Sequence, residues 1–344
     1  MAADRFLRAA RRQPVDRTPI WLMRQAGRSL PGYRKLRERH SLVDIVAQPE
    51  LCTQVTLEPV ERLGVDAAVM FADIMLPLRG MGVDFELVEA VGPVIERPVR
   101  FRRDVEALRV PSGEEAAPEV VAAVRCVARE SPVPLICFAG APFTLAAYLI
   151  EGQPSREFLL TKRFMYEEPE AFESLLGKLA ATVSGYLRAQ IRAGAAAVQL
   201  FDSWVGALSP EDYRRAVFHH TRAIFESLAA LDVPRIHFGT GTAGLLGLLA
   251  RAGCDVVALD WRVDLDAGWR AVGPELGVQG NLDPAVLLGP SELVDEMARS
   301  VLRQAGGRPG HVFNLGHGVL PDTPLERLQQ LVETVHAWEP ASAA

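Results

Sequence analysis

Arg24 and Arg28, four residues apart around Gly27, close an apolar stretch that runs from Pro19 to Met23. A buried strand ordinarily ends in turn residues such as Gly, Asn, Asp or Ser. This one ends in two permanently charged five-donor forks that suit carboxylate or phosphate. Gly27 lets the backbone bend sharply or a ligand come close. Alone, the pair reads as two surface ion pairs. What shifts the balance is that later apolar runs also end in polar groups: Asp73, Asp202-Ser203, Asp260, Asn281 with Asp283, and His317 between two glycines. Tyr148 joins them from a helix after the third run. Each has a plain alternative. The aspartates can cap backbone, Ser203 lacks a G-x-S-x-G elbow, and Tyr148 can be half-buried packing. Brought together, they describe a cavity with a cationic edge, one carboxylate and neutral donors and acceptors. Walker loops are absent from the sequence, and His237, His317 and Asp73 have no chelating spacing. The expected ligand is an organic polyanion bearing carboxylates, handled without metal or nucleotide.

The elements that must position these groups are short apolar runs separated by helical stretches. They are Pro19–Met23, Ala67–Phe71, Pro134–Phe138, Ala197–Phe201, Arg235–Phe238, Asp255–Leu259, Gly277–Gln279 and His311–Leu315. The runs are continuous rather than alternating, as in a parallel sheet covered on both faces. Eight such units predict a single-domain (β/α)8 TIM barrel over 1–344, with the site on the rim at the strands' C-terminal ends. A doubly wound sheet would show a glycine-rich phosphate turn after its first strand, where this chain has the arginine segment. Helices are expected over about 4–12, 44–63, 115–129, 169–193, 210–230, 244–252 and 324–338. A β-hairpin is expected over 82–95, a loop over 31–39, and a flexible tail over about 339–344.

Composition narrows the class. Hydrophobic residues make up 49% and charged residues 23% of the 344, the profile of an ordinary globular protein. The net charge of −6 argues against nucleic acid as the main partner, so an anion needs locally placed arginines. Cys52, Cys126, Cys137 and Cys254 show no metal or redox spacing and read as buried reduced thiols in a cytoplasmic protein. The longest strongly apolar piece, 245–250, is far too short to span a membrane. The opening residues lack the apolar core of a signal peptide, and Asp4 and Asp16 argue against a transit peptide.

Seven segments, in order, resemble the uroporphyrinogen decarboxylase family. They are Met23-Arg24-Gln25-Ala26-Gly27-Arg28, Phe71-Ala72-Asp73-Ile74, Ala141-Pro142-Phe143-Thr144, Gln199-Leu200-Phe201-Asp202-Ser203, Leu259-Asp260-Trp261, Gln279-Gly280-Asn281-Leu282-Asp283-Pro284 and Asn314-Leu315-Gly316-His317-Gly318. The resemblance implies a cofactor-independent (β/α)8 homodimer with no nucleic-acid or membrane partner. Its reaction would remove CO2 from the four acetates of uroporphyrinogen III to give coproporphyrinogen III. By matching positions, Arg24, Gln25, Ala26, Gly27 and Arg28 would hold substrate carboxylates, with Arg37 beside them. Asp73 would accept the pyrrole N–H groups, and Tyr148, Ser203 and His317 would line the same cleft. The chain departs from the family at Ser29 and Gly32, where a tyrosine and an acidic residue are common.

The chemistry suits these residue types. Losing CO2 from a pyrrole acetate requires an electron sink, which protonation of a ring carbon provides. A fixed carboxylate facing the N–H groups stabilises the resulting cation, the mirror image of an oxyanion hole. Bidentate arginines anchor the spectator carboxylates. The resemblance places Arg24 as proton donor, but a guanidinium is a very weak acid. Water and the substrate's own carboxyl are the other sources. One rival on the same fold is the zinc-dependent, corrinoid-linked methyltransferases, which use a His-x-Cys and a further Cys. Here His237-Phe238-Gly239 and Gly316-His317-Gly318 lack both thiolates. The second rival is a non-catalytic tetrapyrrole carrier.

Overall fold

The computed structural model describes residues 4–88 and 91–339. Its strands are β1 (Ala68–Val69), β2 (Phe85–Val88), β3 (Gly92–Ile95), β4 (Leu135–Gly140), β5 (Ala197–Asp202), β6 (Arg235–Gly239), β7 (Val256–Ala258), β8 (Gly277–Gln279) and β9 (His311–Val312). β2 and β3 pair antiparallel as the expected hairpin, while β1 and β4 to β9 form one curled parallel sheet in chain order. The gap between β9 and β1 is spanned by residues 19–22. On one side Phe313 N–H donates to Pro19 O at 2.8 Å and Trp21 N–H to Phe313 O at 3.4 Å. On the other, Asp66 N–H donates to Ile20 O at 2.8 Å. The first expected strand is thus the closing stave, held by a minimal ladder on each edge.

The strands read as continuous apolar runs because both of their faces are buried, in different cores. Trp21, Met23, Ala67, Val69, Ile136, Ala197, Ile236, Val256, Ala258 and Val312 pack inside the barrel. Leu22, Ala68, Met70, Cys137, Val198, Val257 and Val278 pack outward under the helices. This is the two-residue period of a strand seen from its two sides. The helix Arg5–Ala10 plugs the end where the strands begin, placing Phe6 in the inner core. Arg5 there pairs with Asp16 and Asp66. Asp66 also accepts Ile20 N–H at 2.9 Å and His336 Nε2 at 2.8 Å. Burial would raise the Asp66 carboxyl, but His336, Ile20 N–H and Arg5 outweigh it and hold the group below its ordinary value.

Several expectations change, among them the helix over 115–129, which is broken at Ala117 into Gly113–Ala116 and Pro118–Glu130. Residues 31–39 contain the helix Pro31–Arg37 rather than a loop. Its first-turn N–H groups of Gly32 and Tyr33 are capped at 3.0 and 3.1 Å by Glu58, from another helix. Such a cap is invisible in local sequence. The helix expected over 44–63 is two helices, Leu42–Val46 and Pro49–Leu63, because Gln48 before Pro49 is extended. The 210–230 helix begins on the Ser209 cap, widens into a π turn over Tyr213–Val217, and continues as Phe218–Leu228. By contrast, Pro169–Ala193 with its left-handed Gly194 stop forms as expected. Leu265–Val272 and Ser291–Ala305 supply the crossovers after β7 and β8. Cys126 is half-buried rather than buried; the other three thiols are buried. Among the described residues no helix is long and apolar enough to cross a membrane. The expected tail falls, except for Glu339, outside the described residues.

Candidate active site

The C-terminal strand ends open on a cleft of about 1020 Å³. Arg24, Ala26, Gly27, Arg28, Arg37, Asp73, Tyr148, Ser203 and His317 all line it. Gln25 does not. Its side chain is fully buried, accepting Leu22 N–H at 3.0 Å and donating to Ala67 O at 3.1 Å. It ties the arginine segment back onto the start of β1 instead of facing the cleft.

The arginine segment is fixed from several sides. Asn314 Oδ1 accepts Met23 N–H at 3.0 Å and Leu315 N–H at 2.8 Å, so one buried amide sets both the approach to Arg24 and the approach to His317. Val319 N–H donates to Met23 O at 2.8 Å. Arg24 has a left-handed φ of 60°, uncommon for a non-glycine residue. Its stem runs over Gly318, where any Cβ would collide with it. The departures from the family pattern are locally compensated. Ser29 is buried with its hydroxyl on Leu320 O at 3.4 Å. At Gly32 a Cβ would strike the Glu58 carboxylate, which serves the backbone there. Arg37 donates to His40 O at 3.0 Å while lining the cleft.

Asp73 follows β1 and turns back on itself, accepting Met75 N–H at 2.8 Å. No other hydrogen bond reaches its carboxylate among the described residues. Burial pushes the Asp73 carboxyl above the ordinary carboxylate range, with Met75 N–H and the Arg24 cation pulling the other way. Burial, then the Asp73 carboxyl, push the Tyr148 phenol up to about 12. Its ring packs 5.9 Å from Trp204, which also meets Phe158 at 5.4 Å. Trp204 N–H donates to Thr144 Oγ1 at 3.2 Å, and that hydroxyl donates onward to buried Asp202 at 3.0 Å. His317 lies between Phe238 and Trp261 at 6.2 and 6.3 Å. Burial, and then the Arg24 cation, hold its pKa down at about 4, so it is a neutral donor and acceptor at pH 7.

The remaining strand-end groups serve the frame. Asp260 accepts Gly241 N–H at 2.5 Å, Arg262 N–H at 3.2 Å and the Arg262 guanidinium at 2.7 Å. Asn281 donates to Asp260 O and Val263 O, and Asp283 caps Ala285 N–H. His237 is buried 3.8 Å from Asp202 and does not line the cleft. Several lining groups went unread in the sequence. Arg79 lies over Phe85 at 5.1 Å. It sits in a short helix, Pro77–Gly80, beyond the end of β1. Phe138 and Phe201, 5.2 Å apart, form apolar floor on β4 and β5. The hairpin forms one wall through Phe85, Leu87 and Pro93.

The uroporphyrinogen decarboxylase (URO-D) family profile matches residues 1–338. Uroporphyrinogen decarboxylase of Thermus thermophilus is 55% identical over 333 residues, covering 96% of this chain and 97% of its own. That of Chloroflexus aurantiacus is 52% identical over 346 residues, covering 99% and 98%. Among solved structures, a methyltransferase from Methanosarcina mazei superposes with a TM-score of 0.82 at 20% identity, covering 97% of this chain and 98% of that one. That likeness shows a shared fold.

Proposed function

This chain belongs to the uroporphyrinogen decarboxylase family, and on that premise we propose how its cleft carries out the decarboxylation. The activity is that of a carboxy-lyase in tetrapyrrole biosynthesis. The observation that carries the residue assignment is the Asp73 carboxylate at the end of β1, with one backbone donor, set among rim arginines and aromatic walls; the other carboxylates that line the cleft are Asp44 and Glu86. A cleft of about 1020 Å³ lies at the upper end of small-ligand sites and suits a macrocycle.

In this reading Asp73 accepts the pyrrole N–H groups, which supply the donors its carboxylate lacks. Arg24, Arg28, Arg37 and the unexpected Arg79 grip the outward acetates and propionates. Protonation of a pyrrole carbon makes the ring cationic, and Asp73 stabilises that charge through the N–H groups. The C–CO2 bond then breaks, its electrons enter the ring, and the exocyclic methylene takes a proton to become methyl as the ring carbon loses its own. One proton is consumed per CO2 released. The ring is its own electron sink, so the step requires no cofactor. His317 and Tyr148, neutral at pH 7, contribute hydrogen bonds rather than charge. Gln25 positions the arginine segment from behind. The same reading has the chain acting as a cytoplasmic homodimer on uroporphyrinogen III.

The test is anaerobic incubation of EDTA-treated protein with uroporphyrinogen III, resolving products by chromatography. Stepwise hepta- to tetracarboxylate porphyrinogens are expected. Substrate that binds but keeps all eight carboxylates would leave a carrier, and activity that returns only with added metal would refute the cofactor-free site.

A further inference from the structure

On the outer helical layer, away from every cleft-lining residue, two helices meet at Glu173, His219 and His220. Glu173 lies in the first turns of Pro169–Ala193, and the histidines open Phe218–Leu228 directly after the π turn. Consecutive helical residues normally diverge by about 100°. Here the two imidazoles lie 4.0 Å apart at 39°, both turned to one carboxylate. His219 Nε2 is hydrogen-bonded to Glu173 Oε1 at 2.9 Å, and His220 Nε2 stands 3.1 Å from Oε2. The His220 ring lies over Gly177, one turn beyond Glu173.

His220 supplies the second observation. Only 6% exposed, it faces the carboxylate, yet its Nε2 makes no hydrogen bond despite the 3.1 Å separation. The carboxylate oxygen lies close but off the line that an N–H would need. Ligand atoms around a shared ion have that relation. At metal–ligand distances of about 2.1 Å, neighbouring donors lie roughly 3 to 3.4 Å apart, each displaced by about 35 to 45° from its neighbour's lone-pair axis. We propose that Glu173, His219 and His220 form a binding site for a divalent transition ion of the zinc type, separate from the decarboxylation cleft.

The donor set selects the ion. Two imidazoles and one carboxylate match zinc and its first-row neighbours, whereas magnesium and calcium prefer oxygen ligands throughout. Three protein ligands leave a coordination position for water. Beside Glu173, a shallow pocket of about 240 Å³ includes Arg215, which is itself paired with Asp212 at 3.5 Å. A bound ion would staple the helix after β4 to the helix after β5.

The test is calorimetric titration of EDTA-treated protein with Zn2+, with Co2+ absorption reporting inner-sphere nitrogen ligands. One equivalent is expected, with a rise in thermal midpoint at saturation. Glu173→Gln and His219→Ala, both at exposed positions, are each expected to weaken Zn2+ binding at least about tenfold. Decarboxylation of uroporphyrinogen III by those variants should stay unchanged. Equal Zn2+ affinity in wild type and both variants would overturn the site. So would binding that disappears on blocking the cysteines instead.

Discussion

Asp73 and Asp260 both follow a barrel strand on the same rim, and the structure uses them in opposite ways. Asp260 is saturated by a backbone N–H from the neighbouring loop and two donors of Arg262. Asp73 has one N–H, from Met75, and otherwise faces the cleft. A carboxylate that spends its lone pairs on the frame fixes loops. One that keeps them is raised in pKa by burial and is stabilised when a ligand brings donors. Position on the rim therefore makes a group available, but the donors already around it decide whether it acts on substrate.

The widest separation between the two should come from Asp73→Asn against Asp260→Asn. The first is expected to lower turnover by about 10²- to 10³-fold while leaving the thermal midpoint nearly unchanged. The second should lower the midpoint and leave turnover per folded molecule within a few fold. Steady-state rates and calorimetry on both variants check this, and a reversed pattern would break the contrast. A second test leaves both carboxylates intact. Gly318→Ala displaces the Arg24 stem, so we expect KM to rise about tenfold or more with the fold retained. An unchanged KM would mean that Arg24 is not held where the substrate carboxylates bind.

A pH titration of stability sharpens the comparison from the histidine side. His311 and His317 are both held neutral, chiefly by burial, with pKa values of about 4 against 6.5 when unfolded. The unfolded chain therefore binds more protons between those values. Stability from both groups is complete above about pH 6.5 and is lost as pH falls towards 4, by up to about 3 kcal/mol for buried His311. Denaturant midpoints across that range measure it, and His311→Gln should flatten the slope. The smallest effect is expected from Thr144→Val, which breaks the hydroxyl link between Asp202 and Trp204 N–H. A stability loss of about 1–3 kcal/mol is expected. Turnover should change only a few fold as the Trp204 wall loosens.

Much of this was legible in the sequence. Strand positions, the hairpin and the Pro169–Ala193 helix follow from local pattern because apolar periodicity and a glycine stop are local signals. The strand-end list also located the cleft. What local pattern could not sort was direction. Gln25 sits between two cleft-facing segments of the chain, yet its amide is taken up by Leu22 and Ala67 behind the wall. Asp260 carries the residue type of Asp73 with its lone pairs already engaged, whereas Asp202 is fully buried behind the wall on the Thr144 hydroxyl and Asp283 caps the turn at Ala285. The helix at 31–37 is capped by Glu58 from a distant helix, and Arg79 sits in a separate short helix beyond the end of β1. Partners far along the chain, Ala67 for Gln25 and Glu58 for the 31–37 helix, decide those two cases.

The buried Asp66 has a consequence for how the chain is completed. Its carboxylate joins Arg5 from the first helix, Ile20 from the closing stave and His336 from the last helix. Helices near the two ends of the described residues thus dock on the same anion. Until residue 336 emerges, that anion lacks one of its partners, and the barrel's closing stave is held at a half-assembled junction. Chains arrested or truncated just before the final helix should therefore remain open at the seam that carries Arg24, and be cut there by proteases, even with all eight staves already made.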